Sequence, residues 1–408
     1  HLDVGRVPLE VPRVESGAQL CDFDFSPHDD HLLLTGLDNA RIKVFKLPSS
    51  DESREGLLCD SSADLRGHQR RITTARWHPI ASELIVATGL DGSLRVFDVL
   101  GEKECVAVTD AHPDTVLSQT CDYQGSVYAT SCKDRKLRLI DPRAGKVVGE
   151  SEIAHQGAKS FRAVWMGRHD RIFTAGFSKS SERECAVWDI RKLDKWMGRT
   201  GIDVSSGVIE PVYDEDTNVT FVSGRGDTTV RLFEAVEKPH FLTQFSGGEP
   251  AVGVAALPKS VVDVRGVELR RFVKLTSTGR VVPIRFFVPR TRVEFFQDDI
   301  YPPTRASEPG LTGPQWLSGD NADPPLFDLQ PSDMTPLSEA PKIEKKAPKY
   351  RLEEKVEKKE TTEELFHRMN ALTGIASIED KVLQEQEGVD ESEWDDDSVD
   401  EHWTPGMT

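Results

Sequence analysis

Five stretches of this 408-residue chain end in related strands: DNARIKVFK (38–46), DGSLRVFD (91–98), DRKLRLID (134–141), SERECAVWD (181–189) and DTTVRLFE (227–234). The aromatic or apolar residue before the last position falls at Phe45, Phe97, Ile140, Trp188 and Phe233, so the gaps are 52, 43, 48 and 45 residues. A period of this size marks a chain built from repeated supersecondary units. Within each unit the residues alternate with period two, and Gly, Asp and Pro break the runs, which predicts short antiparallel strands. A four-stranded unit cannot bury both of its faces alone, whereas several arranged radially can.

The spacing is that of the WD40 repeat, and the predicted fold is an all-β, WD40-type β-propeller. His68, His112 and His155 each stand near the start of a unit. Their spacing follows the repeat, so they lie on different blades, too dispersed for one tetrahedral metal site. Each is predicted to hydrogen-bond within its own blade, with Thr88 and Asp91 serving one unit and Ser131 and Asp134 the next. Phe97 and Ile140 stand where a donor Trp would complete those networks. A sixth, irregular unit spans roughly 250–300, so about six blades of a seven-bladed family are visible. Residues 1–16 either donate a lone strand or follow a lost blade. Pro8 and Pro12 limit them to an edge strand. The expectation is an open gap beside the 18–48 unit and an unpaired edge on the last one. With no initiator Met, the chain reads as a fragment or a processed form.

The domain reading is a propeller over 1–300, an extended segment packed on it over 301–341, a charged linker over 342–360, and a short helix with an acidic tail over 361–408. In the last part Thr361 and Glu364 form a capping box. Leu365, Phe366, Met369 and Leu372 then line one helical face, and Gly374 stops it. The stretch 387–403 is too acidic to bury a core and is expected to be disordered when free. From Thr361 to Thr408 there are 14 acidic and two basic residues, which is −12 of the net −18. That balance disfavours nucleic acid as a partner. No apolar run approaches the roughly 18 residues of a membrane span. The six cysteines form no CxxC pair and read as reduced core residues of an intracellular protein. Neither a nucleophile elbow nor a P-loop, HExxH or dinucleotide motif is present, so an enzyme is not expected and no cofactor is implied.

Several segments resemble the coronins. They are KDRKLRLIDPRAGKVV (133–148), TAGFSKSSERECAVWD (174–189), EPAVGVAALPKSVVDVRGVELRRFVKL (249–275), VPRTRVEFFQDDIYPPT (288–304) and WLSGDNADPPLFDL (316–329). The resemblance covers about 20–330. There are two departures. The family's first blade, with an actin-binding arginine, is absent, and no sustained heptads follow 342. The acidic tail resembles that of the long, tandem-propeller coronins instead.

The resemblance implies binding to F-actin and the Arp2/3 complex, in the cytoplasm and on the cytoskeleton. Long coronins add a vesicle- or Golgi-trafficking role. The tail candidates are Glu393, Trp394, Asp395, Asp396, Asp397 and Trp403, an acidic peptide with aromatic anchors suited to a basic groove of Arp2/3. The helix Leu365, Phe366, Met369 and Leu372 would be its connector. Arg70, Arg71, Lys133, Arg135 and Lys136 are the candidate actin contacts, set against ordinary solvated loop charge. One other class fits a short motif. Trp188-Asp189-Ile190-Arg191 matches the WDxR box of substrate receptors for cullin-based ubiquitin ligases.

Overall fold

The computed structural model describes residues 5–7, 13–48, 57–58 and 60–341. The chain divides into two units, His1–Pro341 and Lys342–Thr408, and all the described residues belong to the first. They form six four-stranded antiparallel sheets, the blades of the propeller. The first blade holds Leu20–Phe25, Leu32–Leu37, Arg41–Lys46 and Ala63–Arg66. The second to fifth follow in chain order, from Ile72–Trp77 to Pro239–Ser246. The sixth is built from Ala251–Ala256, Glu268–Thr276 and Arg280–Phe287.

The fourth strand of the sixth blade is Gly5–Arg6, which pairs antiparallel with Arg280–Phe287 in the register Gly5↔Val281 and Arg6↔Arg280. The Val7 N–H extends the pairing to Gly279 O at 2.8 Å. The expected unpaired edge on the last unit is therefore corrected. The two prolines come after the pairing stretch, so residues 5–7 keep the N–H groups the ladder needs.

Apolar side chains from facing blades merge into one cluster at each of five successive interfaces. Leu34, Ile42 and Leu65 of the first blade meet Ile72, Trp77 and Phe97 of the second. Equivalent clusters join the second blade to the third, the third to the fourth, the fourth to the fifth and the fifth to the sixth. Among the described residues no such cluster joins the sixth blade to the first. The first blade shows the consequence on its inner strand. Asp22 and Asp24 turn towards the second blade and accept the backbone N–H of Ala75 and of Trp77 at 3.0 and 3.1 Å. Leu20, Phe23 and Phe25 stay exposed, the last two pointing away from that neighbour, at 47%, 54% and 51%. Cysteines expected in the core divide the same way. Cys132 and Cys185 are buried, Cys105 and Cys121 half-buried, and Cys21, on the inner strand of the first blade, is exposed.

Residues 288–341 cross one end of every blade. In every blade one contact falls on the turn between the first and second strands. His28 binds Ser307 O at 3.0 Å in the first blade, and Ser82 N donates to Leu311 O in the second. Gln124 and Arg168, in the third and fourth, both reach Asp323. Glu215 of the fifth pairs with Arg305 at 2.8 Å, and Arg265 of the sixth with Asp333 at 2.6 Å. A short helix, Gly313–Ser318, anchors this strap. It has a Thr312–Gln315 capping box and ends at Gly319 in the left-handed region at φ 108°. Its Trp316 is fully buried in the cluster between the second and third blades, with the Arg143 guanidinium 5.0 Å over the ring.

Candidate functional site: the uncovered loop face

In an antiparallel sheet, successive turns alternate between the two ends of the strands. The strap takes the end that carries the first turn of each blade. The opposite end carries the second turn of each blade and the connections between blades, and the strap leaves it uncovered. Arg70, Arg71, Lys133, Arg135 and Lys136 all belong to this uncovered end, because they lie between blades or between the second and third strands of a blade.

The loop bearing Arg70 and Arg71 is fixed from beneath. His68 is buried, and its Nδ1 lies 3.1 Å from both carboxylate oxygens of Asp91. The Gln69 N–H donates to the same carboxylate at 2.9 Å, and the Leu90 N–H to Arg71 O at 3.0 Å. Burial would raise Asp91, but hydrogen bonds from His68, Gln69 and Ser93 outweigh it and hold the carboxyl below its usual range. Both arginines are exposed. Among the described residues neither makes an ion pair.

The third-blade group is committed internally. Lys136 pairs with Glu150, Arg135 donates to Gln156 O at 3.1 Å, and Lys133 lies 3.9 Å from Asp114. The sequence reading missed Arg225, exposed in the same turn of the fifth blade as Lys133 is in the third and also without an ion pair among the described residues. Aligning the repeats residue by residue would have found it.

The three repeat histidines sit in separate blades. In the fourth, His155 joins Glu184 at 2.8 Å and Thr174 at 2.9 Å, and Thr174 accepts the indole N–H of Trp188. The other two networks need correction. His112 binds Thr130 at 2.8 Å rather than Ser131, because Ser131 faces Ser118 and Phe161 O. Asp134 is taken by Arg138 at 2.5 Å. Thr88 bonds Thr73 and Thr74 instead of His68. With Thr88 and Asp134 engaged elsewhere, His68 Nε2 and His112 Nδ1 are buried with no partner among the described residues. The Arg191 of the WDxR stretch pairs with Asp170 at the end of the fourth blade that the strap crosses. Glu393, Trp394, Asp395, Asp396, Asp397 and Trp403 lie outside the described residues, as do Leu365, Phe366, Met369 and Leu372. No helix among the described residues is long and apolar enough to cross a membrane.

Six radial sheets, repeat histidines and one uncovered loop face define a WD-repeat propeller, whose loops are displayed on a rigid frame. A WD domain, G-beta repeat model matches residues 59–98, and a second type of WD40 repeat matches 281–324. The crystal structure of the WD40 domain from Toxoplasma gondii coronin superposes with a TM-score of 0.72 at 30% identity, covering 77% of this chain and 81% of that one. Human Coronin-7 is 35% identical over 405 residues, 96% of this chain and 43% of its own length. The Coronin-like protein of Saccharomyces cerevisiae is 35% identical over 338 residues, 80% of this chain and 51% of its own. The chain belongs to the coronin family. It spans about two fifths to two thirds of the length of the curated relatives it matches. The alignment with Coronin-7 must take in most of residues 342–408, since it leaves out only 4% of the chain. A COPII outer-coat chain, at 17% identity and a TM-score of 0.51, shares the fold alone.

Proposed function

We propose that this chain is a binding scaffold of the actin cytoskeleton rather than an enzyme. Its uncovered propeller face contacts F-actin, and its acidic tail contacts the Arp2/3 complex. The observation that carries the reading is the division of the propeller into a strapped end and an opposite end whose Arg70 and Arg71 make no ion pair among the described residues, which suits an acidic protein surface. Family membership supplies the partner, and the tail supplies a second, flexible ligand whose Trp394 and Trp403 would fill apolar pockets. The setting is the cytoplasm and the cytoskeleton, with vesicle or Golgi trafficking as the wider role of the long coronins.

The test uses the full chain. It should co-sediment with actin filaments and capture purified Arp2/3. Trp394→Ala should weaken Arp2/3 capture by about 1–2 kcal/mol and leave filament binding unchanged. Added salt should weaken both contacts. Capture of Arp2/3 unaffected by Trp394→Ala and Trp403→Ala together would refute the tail assignment.

A further inference from the structure

At the uncovered end, residues 204–208 connect the outermost strand of the fourth blade to the inner strand of the fifth. Val204 on this connection is 80% exposed, more than any other large hydrophobic side chain among the described residues. Its neighbours are held from beneath. Arg183 is buried under the loop and joins Asp203 at 2.5 Å to Asp227 at 2.7 Å. The Ser205 N–H turns back to the Asp203 carboxylate at 3.0 Å, an Asx-type turn. Gly207 O accepts from Arg183 at 3.4 Å. Gly207 also sits directly on the second turn of the fifth blade, where an added Cβ would lie 2.3 Å from Arg225 O. The polar groups on either side of Val204 thus point down into the seam, and Val204 is left facing solvent. A loop pinned in this way loses little conformational freedom on binding.

Two cations are tied to the same loop. Lys159, on the connection into the fourth blade, donates to Ser206 O at 3.0 Å and lies 5.0 Å over the Phe177 ring. The Arg225 N–H donates to Val208 O at 3.2 Å, and its side chain is exposed. Neither makes an ion pair among the described residues. The two carboxylates beneath them are balanced already, since Asp203 and Asp227 serve Arg183 and Asp203 also pairs with Arg231 at 2.8 Å. The charges of Lys159 and Arg225 are therefore in excess at this seam. The Lys133–Lys136 group differs, because Lys136 shares Glu150 with the buried Arg138 and a partner that took it would break that network.

We infer that the seam between the fourth and fifth blades, with Val204 between Lys159 and Arg225, docks an acidic protein surface that offers an apolar recess to the valine. The inference rests on the F-actin reading and gives it a defined contact. Steering charge comes from the two cations, and burial of Val204 adds the apolar part of the affinity. The third-blade lysines and Arg135 stay out of the contact.

Filament co-sedimentation of the full chain tests this, with thermal midpoints measured alongside. K159E/R225E should raise the dissociation constant at least about tenfold and flatten its salt dependence, because the steering charges are reversed. Val204→Ser should raise it about fivefold and leave the salt dependence as in the parent, because only apolar burial is lost. Lys133→Ala should stay within about twofold. The thermal midpoint of Val204→Ser should equal the parent's, since the valine buries almost nothing in the free chain. Parental binding by K159E/R225E or by Val204→Ser, or a larger loss from Lys133→Ala than from either, overturns the patch while the filament reading stands. A parent chain that does not sediment with filaments overturns both.

Discussion

The indole N–H of Trp188 donates to the hydroxyl of Thr174 at 2.9 Å, and the same hydroxyl meets His155 Nε2. The relay runs on from His155 Nδ1 to Glu184, and all four side chains are buried. It ties the third strand of the fourth blade to its second and to the connection entering the blade. Thr174→Val is expected to cost about 2–4 kcal/mol, because it keeps the volume but leaves the buried indole N–H of Trp188 without an acceptor and His155 Nε2 without its partner. Trp188→Phe removes a donor together with its need for a partner and should cost less, about 1–3 kcal/mol. Urea unfolding of the two variants checks the order.

A second prediction concerns pH. His78 is fully buried, with Nδ1 accepting the Ala81 N–H at 2.8 Å and Nε2 donating to Gly125 O at 2.9 Å. Burial pushes it down to about 3, and burial with the nearby Arg138 pushes His112 down to about 4. Both are neutral in the fold, and the unfolded chain takes up their protons first. Their contribution is complete above the ordinary value of 6.5 and is lost as pH falls towards 4 and 3. The slope is about 1.4 kcal/mol per pH unit for each histidine. Asp24, pushed up to about 6 by burial, acts in the opposite sense between that pH and 3.8. Comparing the parent with His112→Gln at pH 7, 6 and 5 isolates the histidine. The stability difference should shrink as pH falls, and a constant difference would contradict the assignment.

The turn between second and third strands uses a left-handed residue in every blade: Ala40, Gly92, Arg135, Ser181, Gly226 and Gly279. At Gly92, φ is 74° and an added Cβ would lie 2.3 Å from His112 O. Gly92→Ala should therefore destabilise by about 2–3 kcal/mol, from backbone strain and from displacing that carbonyl. Ala40→Gly, at φ 66°, should stabilise by up to about 1 kcal/mol. Thermal midpoints moving in opposite directions would support this account, and a shared direction would not.

Trp316→Ala should cost about 3–5 kcal/mol, since it empties a fully buried site between the second and third blades and unpins the strap. Limited proteolysis within 304–330 should speed up with it. A strap cleaved no faster than in the parent would mean that the other contacts along its length suffice.

Much of this was legible in the sequence because the information is local. A period-two pattern, a turn residue and a His some twenty residues from its partner all act within one blade, over a chain length that the repeat itself brackets. Trp188 signalled the one complete relay, and Phe97 and Ile140 signalled the two that stop short. The identity of the hydroxyl that each His finds depends on which way a strand residue faces: Thr130 meets His112, while Ser131 meets Ser118 and Phe161 O.

Contacts between distant parts of the chain were decided only by the tertiary structure. Gly5 finds Val281 across nearly the whole propeller, and one strap spread over residues 288–341 chooses which end of all six blades is covered. The charge of Arg71 and that of Lys136 look alike in the sequence. The difference is that Glu150 stands on the strand beside Lys136, while Arg71 makes no ion pair among the described residues. Sequence composition sets how many charges a surface has, but the pairing geometry of the folded strands sets which of them remain free to bind.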